Sequence, residues 1–303
     1  MPISLKFIFA NSSGDEKYGS KSVTLSNITD AYNESSKDSG FIDEFVIDPD
    51  TKQLIREYGN LCNNLHTDLH ECVGHGSGKL MPGISKDSLK NHASTIEEAR
   101  ADLFALYFIA DKKLIELGLL PNEDAYKAEY YRFFRNGLMT QLTRVEPGKD
   151  LEEAHMRNRQ LIAAWVLDHC GKNEMSLVKI DGKTQLQIND YNGLRSIVGD
   201  MLREIQRITS EGDYKTAQEL VQTYAIKVNQ ELHLEILDRY KKLNIPKYTG
   251  VLNPKYTPII DINTIDETTG EPKIVDVMID YAEGFIGQSL RYNQYYSVLP
   301  DIN

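Results

Sequence analysis

Cysteine is scarce in this chain. There are three, Cys62, Cys72 and Cys170, and no C-x-x-C pair. An odd, sparse set builds no disulfide framework, which points to a reducing, cytoplasmic compartment. It also rules out a cysteine-built zinc site, so any metal site must come from the seven histidines and the carboxylates. Positive charge is the minority sign. With 34 Lys+Arg against 45 Asp+Glu and a net charge of −11, nucleic acid and anionic membrane are poor partners, because both would be repelled. No apolar run approaches the length of a membrane span. The opening "MPISLKFIFANSSG" has an apolar run too short for a signal-peptide core and reads as a strand. Repeats and low-complexity tracts are absent too.

What remains has the make-up of an ordinary globular chain. Its 303 residues are 41% hydrophobic and 26% charged, enough for one large domain or two of common size. Helical spacing begins near Thr51, with a break expected at Gly59, and ends at Gly76 to Gly78. "STIEEARADLFALYFIADKKLIELG" predicts a strong helix, with Ser94 and Glu97 as a capping box and Gly118 as the stop. Further helices are predicted at about Asp124 to Thr143, Leu151 to Cys170, Tyr191 to Thr209, Tyr214 to Ile226 and Gln230 to Leu243. "LVKIDGKTQLQI" predicts a hairpin turning at Asp181-Gly182. Beyond Ile245-Pro246 the chain is rich in Thr, Ile, Val, Pro and Gly and reads as strands and loops, with a last helix from about Ala282. The expected fold is mainly α. Residues 1–40 form a strand and loop segment, 41–244 a helical lobe, and 245–303 a strand-rich end, the two ends joining in a small β-containing region.

The chemistry concentrates at "HECVGH", residues 70–75. At about 100° per residue, side chains four apart nearly align, whereas five apart diverge by about 140°. His70 and His75 are five apart, so a regular α-helix cannot aim both at one ion. A π-type bulge absorbing one residue would, and Gly74 is the residue best able to take the backbone strain. Glu98 and Asp102, four apart on the next predicted helix, offer the missing carboxylate, giving the two-histidine, one-glutamate set that suits a hydrolytic zinc. Glu71 then stands beside the first ligand, placed to take a proton from zinc-bound water. Plainer readings exist for the same residues. Glu97 can be a capping residue only, and Glu98 and Asp102 a solvated face. His66 and His70, four apart, would align on an undistorted helix as a rival pair. Cys72 reads as a small buried residue.

"HECVGH" with its trailing "GSGKL", "EEARAD" beginning 22 positions after His75, and "EAHMRNR" at residues 153–159 together resemble the dipeptidyl peptidase III family of zinc exopeptidases, from about Val23 to about Thr209. The resemblance implies one Zn2+ per chain, held by His70, His75 and Glu98, with Glu71 as general base. It implies that Glu97 and Asp102 are acceptors orienting the ligand histidines. His155 would stabilise the oxyanion, with Arg159 beside it on the cleft wall. Asn11 in "FANSSG" would match an asparagine that holds the peptide's amino end, and Lys247 is a candidate for its carboxylate. His66, His92, His169 and His233 are left as surface or packing residues. The family has two lobes, a helical one with zinc and one built around a β-barrel, in chains roughly twice this length. This chain therefore looks like the catalytic lobe with fragments of the other, and the missing N-terminal lobe would be its partner. The implied activity is release of dipeptides from the amino end of short peptides. The alternatives are a zinc-binding lobe without turnover, or another zinc peptidase, endo- or monoamino-.

Overall fold

The computed structural model describes residues 39–245, 255–266 and 270–280, with 287 and 290. They fall into two compact units, one covering 39–245 and the other the described residues beyond Pro246. Asn11, Lys247, the predicted N-terminal strand, its packing with the C-terminal strands, and most of the predicted last helix lie outside the described residues.

The first unit is helical. After α1 (Phe41–Phe45), the long α2 (Pro49–Leu69) starts where Asp48 accepts a 2.7 Å hydrogen bond from the Thr51 amide and Pro49 takes a first-turn position. The helix runs unbroken through Gly59, contrary to expectation. Gly59 is buried in it, on the same side as Ile55, Cys62 and Leu65, and the cost of one glycine is overridden by that packing. A 3-10 stretch (Lys86–His92), kinked at Lys90 with φ 49°, leads straight into α3 (Ala93–Ile109). The helix therefore starts before Ser94, the Ala93 amide bonds to the Lys90 carbonyl, and no side chain caps it. The predicted capping box is not used, and Glu97 turns elsewhere.

α3 is the axis of the unit. Ile96, Ala99, Ala101, Leu103, Ala105, Leu106 and Ile109 are all fully buried, so apolar residues surround it. Around it pack α2, α6 (Ala154–His169) and α7 (Tyr191–Glu211). Following α4 (Lys112–Glu116), α5 (Tyr126–Leu138) lies against α2 and α6, and a 3-10 turn (Thr140–Arg144) follows it. Strands β1 (Met175–Ile180) and β2 (Lys183–Ile188) pair antiparallel about Asp181 and Gly182, both at positive φ, as the turn signal predicts. The predicted Tyr214 to Ile226 helix divides into α8 (Tyr214–Leu220) and a π turn (Val221–Ala225). α9 (Gln230–Lys242) is tied down by the buried Arg239, which donates to Glu44 and to the Thr184 carbonyl and so joins α1, β2 and α9.

In the second unit, β3 (Lys255–Ile265) pairs antiparallel with β4 (Pro272–Asp280), with register shifts after Ile259 and Asp261. Nine helices and two small antiparallel sheets among the described residues make the chain mainly α. No described helix is long and apolar enough to cross a membrane.

Candidate metal centre

Where α2 ends, the rod does not stop. Residues His70–His75 form a π-helix, the local underwinding that their five-residue spacing demands. The two imidazoles meet edge to face, their centroids 4.7 Å apart. Gly74 does not adopt positive φ, so backbone strain is not what requires it. A Cβ there would sit 2.6 Å from the Ala101 Cα and 2.8 Å from its Cβ. The glycine is needed because α3 crosses against the π turn at that point. Gly78 is at positive φ (84°) and makes the exit.

From the facing side, α3 presents Glu98. Its Oε2 lies 3.3 Å from His70 Nε2, 3.9 Å from His75 Nε2 and 3.2 Å from His155 Nδ1 on α6. That oxygen is buried, yet it makes no aligned hydrogen bond with any of the three. Ligands about 2.0–2.2 Å from a tetrahedral zinc stand roughly 3.3 Å from one another. The spacing of His70, His75 and Glu98 therefore suits a cation at their centre, and the unpartnered carboxylate oxygen is what such a cation would satisfy.

Behind this triangle the rings are held. His70 Nδ1 donates to Asp102 Oδ1 at 2.6 Å, and His75 Nδ1 is 2.9 Å from Glu97 Oε1. Each bond fixes a ring's tautomer and turns its Nε2 lone pair to the front. Arg100 grips Glu97 with two nitrogens and the Ser77 carbonyl with a third contact, tying α3 to the loop after the π turn. Neither acid is a capping residue or a solvated face.

The charges agree with this arrangement. Burial pushes Glu97 up, but His75 and Arg100 outweigh it and bring its pKa to about 2. Burial likewise opposes Glu98, and the His155 and His70 imidazoles bring it to about 2. Burial also lowers His70, yet Asp102 and Glu98 on its two nitrogens raise it to about 10. Without a cation the ring is an imidazolium between two carboxylates, the charge pattern that a divalent ion would replace.

Of the remaining predicted residues, Glu71 follows His70 in the π turn and is partly exposed. His155 is half exposed, and Glu98 beside it raises its pKa. Arg159 lies one turn further along α6, partly buried. Cys72 is partly exposed rather than buried. His92 and His233 are buried packing residues, and His169 is exposed against Trp165. His66 packs as expected of a packing residue, its ring stacked on Phe133, and it also carries a polar contact. It is buried, with Nε2 3.1 Å from Asp102 Oδ1. Asn158 also reaches that acid, donating to Oδ2 at 3.0 Å. The sequence pairs His66 with His70 only as a rival ligand and does not single out Asn158, although it lies inside "EAHMRNR".

Fold and motif together point to a family of peptidases. The sequence model of peptidase family M49 matches residues 13–89 and 83–247, and the chain belongs to that family. Proteins it is similar to include dipeptidyl peptidases III. The mouse (Mus musculus) dipeptidyl peptidase 3 is 24% identical and that of Nematostella vectensis 23%, each over 249 residues covering 68% of this chain. The chain spans only 33% of the length of these curated relatives. Dipeptidyl peptidase III from Caldithrix abyssi superposes with a TM-score of 0.57 at 26% identity, over 77% of this chain and 42% of the other. The Corallococcus sp. strain EGB enzyme, at 20% identity and TM-score 0.54 over 77% of this chain and 40% of the other, shares the fold.

Proposed function

We propose that the chain is the catalytic part of a zinc-dependent dipeptidyl peptidase, cytoplasmic, acting on the amino ends of short peptides. The observation that carries the reading is the triangle of His70 Nε2, His75 Nε2 and Glu98 Oε2, set across a π turn and a glycine contact, with the Glu98 oxygen buried and without a hydrogen bond. Zinc held there would supply Lewis acidity to the scissile carbonyl and make a water molecule acidic near neutral pH.

The chain's own groups do the rest. Glu71 takes a proton from the attacking water and returns it to the leaving amine. His155, beside Glu98, donates a hydrogen bond to the oxyanion, a contribution of roughly 3 kcal/mol in comparable sites. Glu97 and Asp102 keep the ligand rings oriented. Arg159 has no hydrogen-bond or ion-pair partner among the described residues, and its guanidinium is available to the peptide backbone or carboxylate. Asn11 and Lys247 are candidates for the two ends of the peptide, and the N-terminal lobe of a longer enzyme would complete the cleft.

The test combines metal and product analysis. The chain should bind one equivalent of zinc, cleave a dipeptidyl-arylamide, and release dipeptides from a peptide of five to eight residues. Stoichiometric zinc without turnover would sink the catalytic claim for this chain. Single amino acids or internal fragments as first products would sink the dipeptidyl claim.

A further inference from the structure

We infer that His66 and Asn158 are positioning residues for the metal centre, acting through Asp102; this rests on the function proposed above. Asp102 is 5% exposed, and its carboxylate is held by donors from three separate elements. Oδ1 meets His66 Nε2 from α2 and His70 Nδ1 from the π turn, and Oδ2 receives Asn158 Nδ2 from α6. A carboxylate bonded only to His70 could swing about its Cβ–Cγ bond and carry the imidazole with it. With both oxygens occupied from fixed helices, its plane is set, and so is the direction of the His70 Nε2 lone pair.

His66 is itself supported. Its ring stacks on Phe133 of α5, with centroids 5.5 Å apart, and its Nδ1 lies 3.5 Å from Glu129 Oε1, an ion-pair separation without a hydrogen bond. Glu129 pairs with Arg132, which in turn donates to Asn63. A polar thread thus runs from the ligand ring through a core that is otherwise apolar. Burying such groups is unfavourable unless each is satisfied, so the thread is poor material for stability alone.

His66, His70 and Asp102 are also close enough together to hold a cation, but their spacing fits hydrogen bonds better. The donor separations of 2.6 Å and 3.1 Å on Asp102 are hydrogen bonds, shorter than the roughly 3.3 Å between ligands of a tetrahedral zinc. His66 thus serves the front site from behind, and it is not an alternative to His75.

Three substitutions separate an orienting N–H from mere bulk: His66→Phe keeps a ring on Phe133 without a donor, His66→Gln restores a donor, and Asn158→Ala frees the other oxygen. Zinc affinity would be measured by chelator competition, and ligand geometry by the visible spectrum of the cobalt-substituted protein. H66F and N158A should each weaken zinc about 10-fold and alter the cobalt bands, and H66Q should recover most of the loss. Folded H66F with wild-type affinity and spectrum overturns the inference, as does H66Q no better than H66F. If H66F does not fold, N158A decides alone, and wild-type behaviour there overturns it. A wild-type chain that takes up neither zinc nor cobalt overturns the proposed function and this inference together. A wild-type that binds while the variants bind equally well overturns only this one.

Discussion

On one side of the His70 ring, Nδ1 faces Asp102 in a short hydrogen bond, and every oxygen of that acid is occupied. On the other side, Nε2 faces Glu98 across 3.3 Å, and the carboxylate oxygen there is buried without a hydrogen bond. Both sides offer histidines and a carboxylate, and composition alone does not tell them apart. Spacing and satisfaction do. At the rear both oxygens of the acid are bonded, at distances shorter than a coordination sphere; at the front the acid's oxygen is spaced for an ion and has no hydrogen bond.

The largest test of that contrast removes one acid from each side. Glu98→Ala should cost zinc affinity well beyond the 10–100-fold typical of outer partners, whereas Asp102→Asn should stay within about that range. Equal losses, measured by chelator competition, would erase the distinction. Next in size is Glu71→Ala, which should keep its zinc and lose hydrolysis by about 10²–10⁴-fold; loss of metal would contradict its assignment as base. Gly74→Ala comes third. The added methyl would press on Ala101 and force the π turn and α3 apart, destabilising the protein by about 1–3 kcal/mol and weakening the metal at the same time. Thermal melts with and without zinc would register both effects, and a silent substitution would mean the helices give way freely.

The smallest effect is in pH. The folded metal-free chain holds the His70 proton more tightly than the unfolded chain does. That stabilisation is complete below about pH 6.5, the ordinary histidine value, and fades as pH rises toward 10. Chelator-stripped protein should therefore melt at lower temperature as pH goes from 7 to 10, while zinc-loaded protein, with the metal in place of the proton on Nε2, should not follow it. Parallel pH profiles would mean the two sides of the ring are less coupled than their distances imply.

Much of this site was legible in the sequence, for a physical reason. The five-residue interval between His70 and His75 is incompatible with a regular helix, so the residues themselves demanded the π turn that is found. The hairpin at Asp181-Gly182 was equally explicit, because few dipeptides tolerate that turn. What stayed hidden depended on neighbours distant in sequence. Gly74 looked like a residue chosen for flexibility, and only the passage of Ala101 shows that it is chosen for size. Gly59 looked like a break, and burial keeps its helix intact. Ser94 and Glu97 matched a local cap, yet the preceding 3-10 turn took over that task and left Glu97 for His75. His66 fitted a rival ligand pair by spacing, and its actual role required knowing where Asp102 points.

The Gly74–Ala101 contact carries one more consequence. Both imidazoles and the carboxylate of the triangle arise between residues 70 and 98, on two neighbouring elements clasped at that point. Contacts so local close early and at small entropic cost during folding. An ion captured by this clasp would arrive before the distant helices and strands are in place, and would act on the nascent chain as a template as well as on the finished protein as a tool.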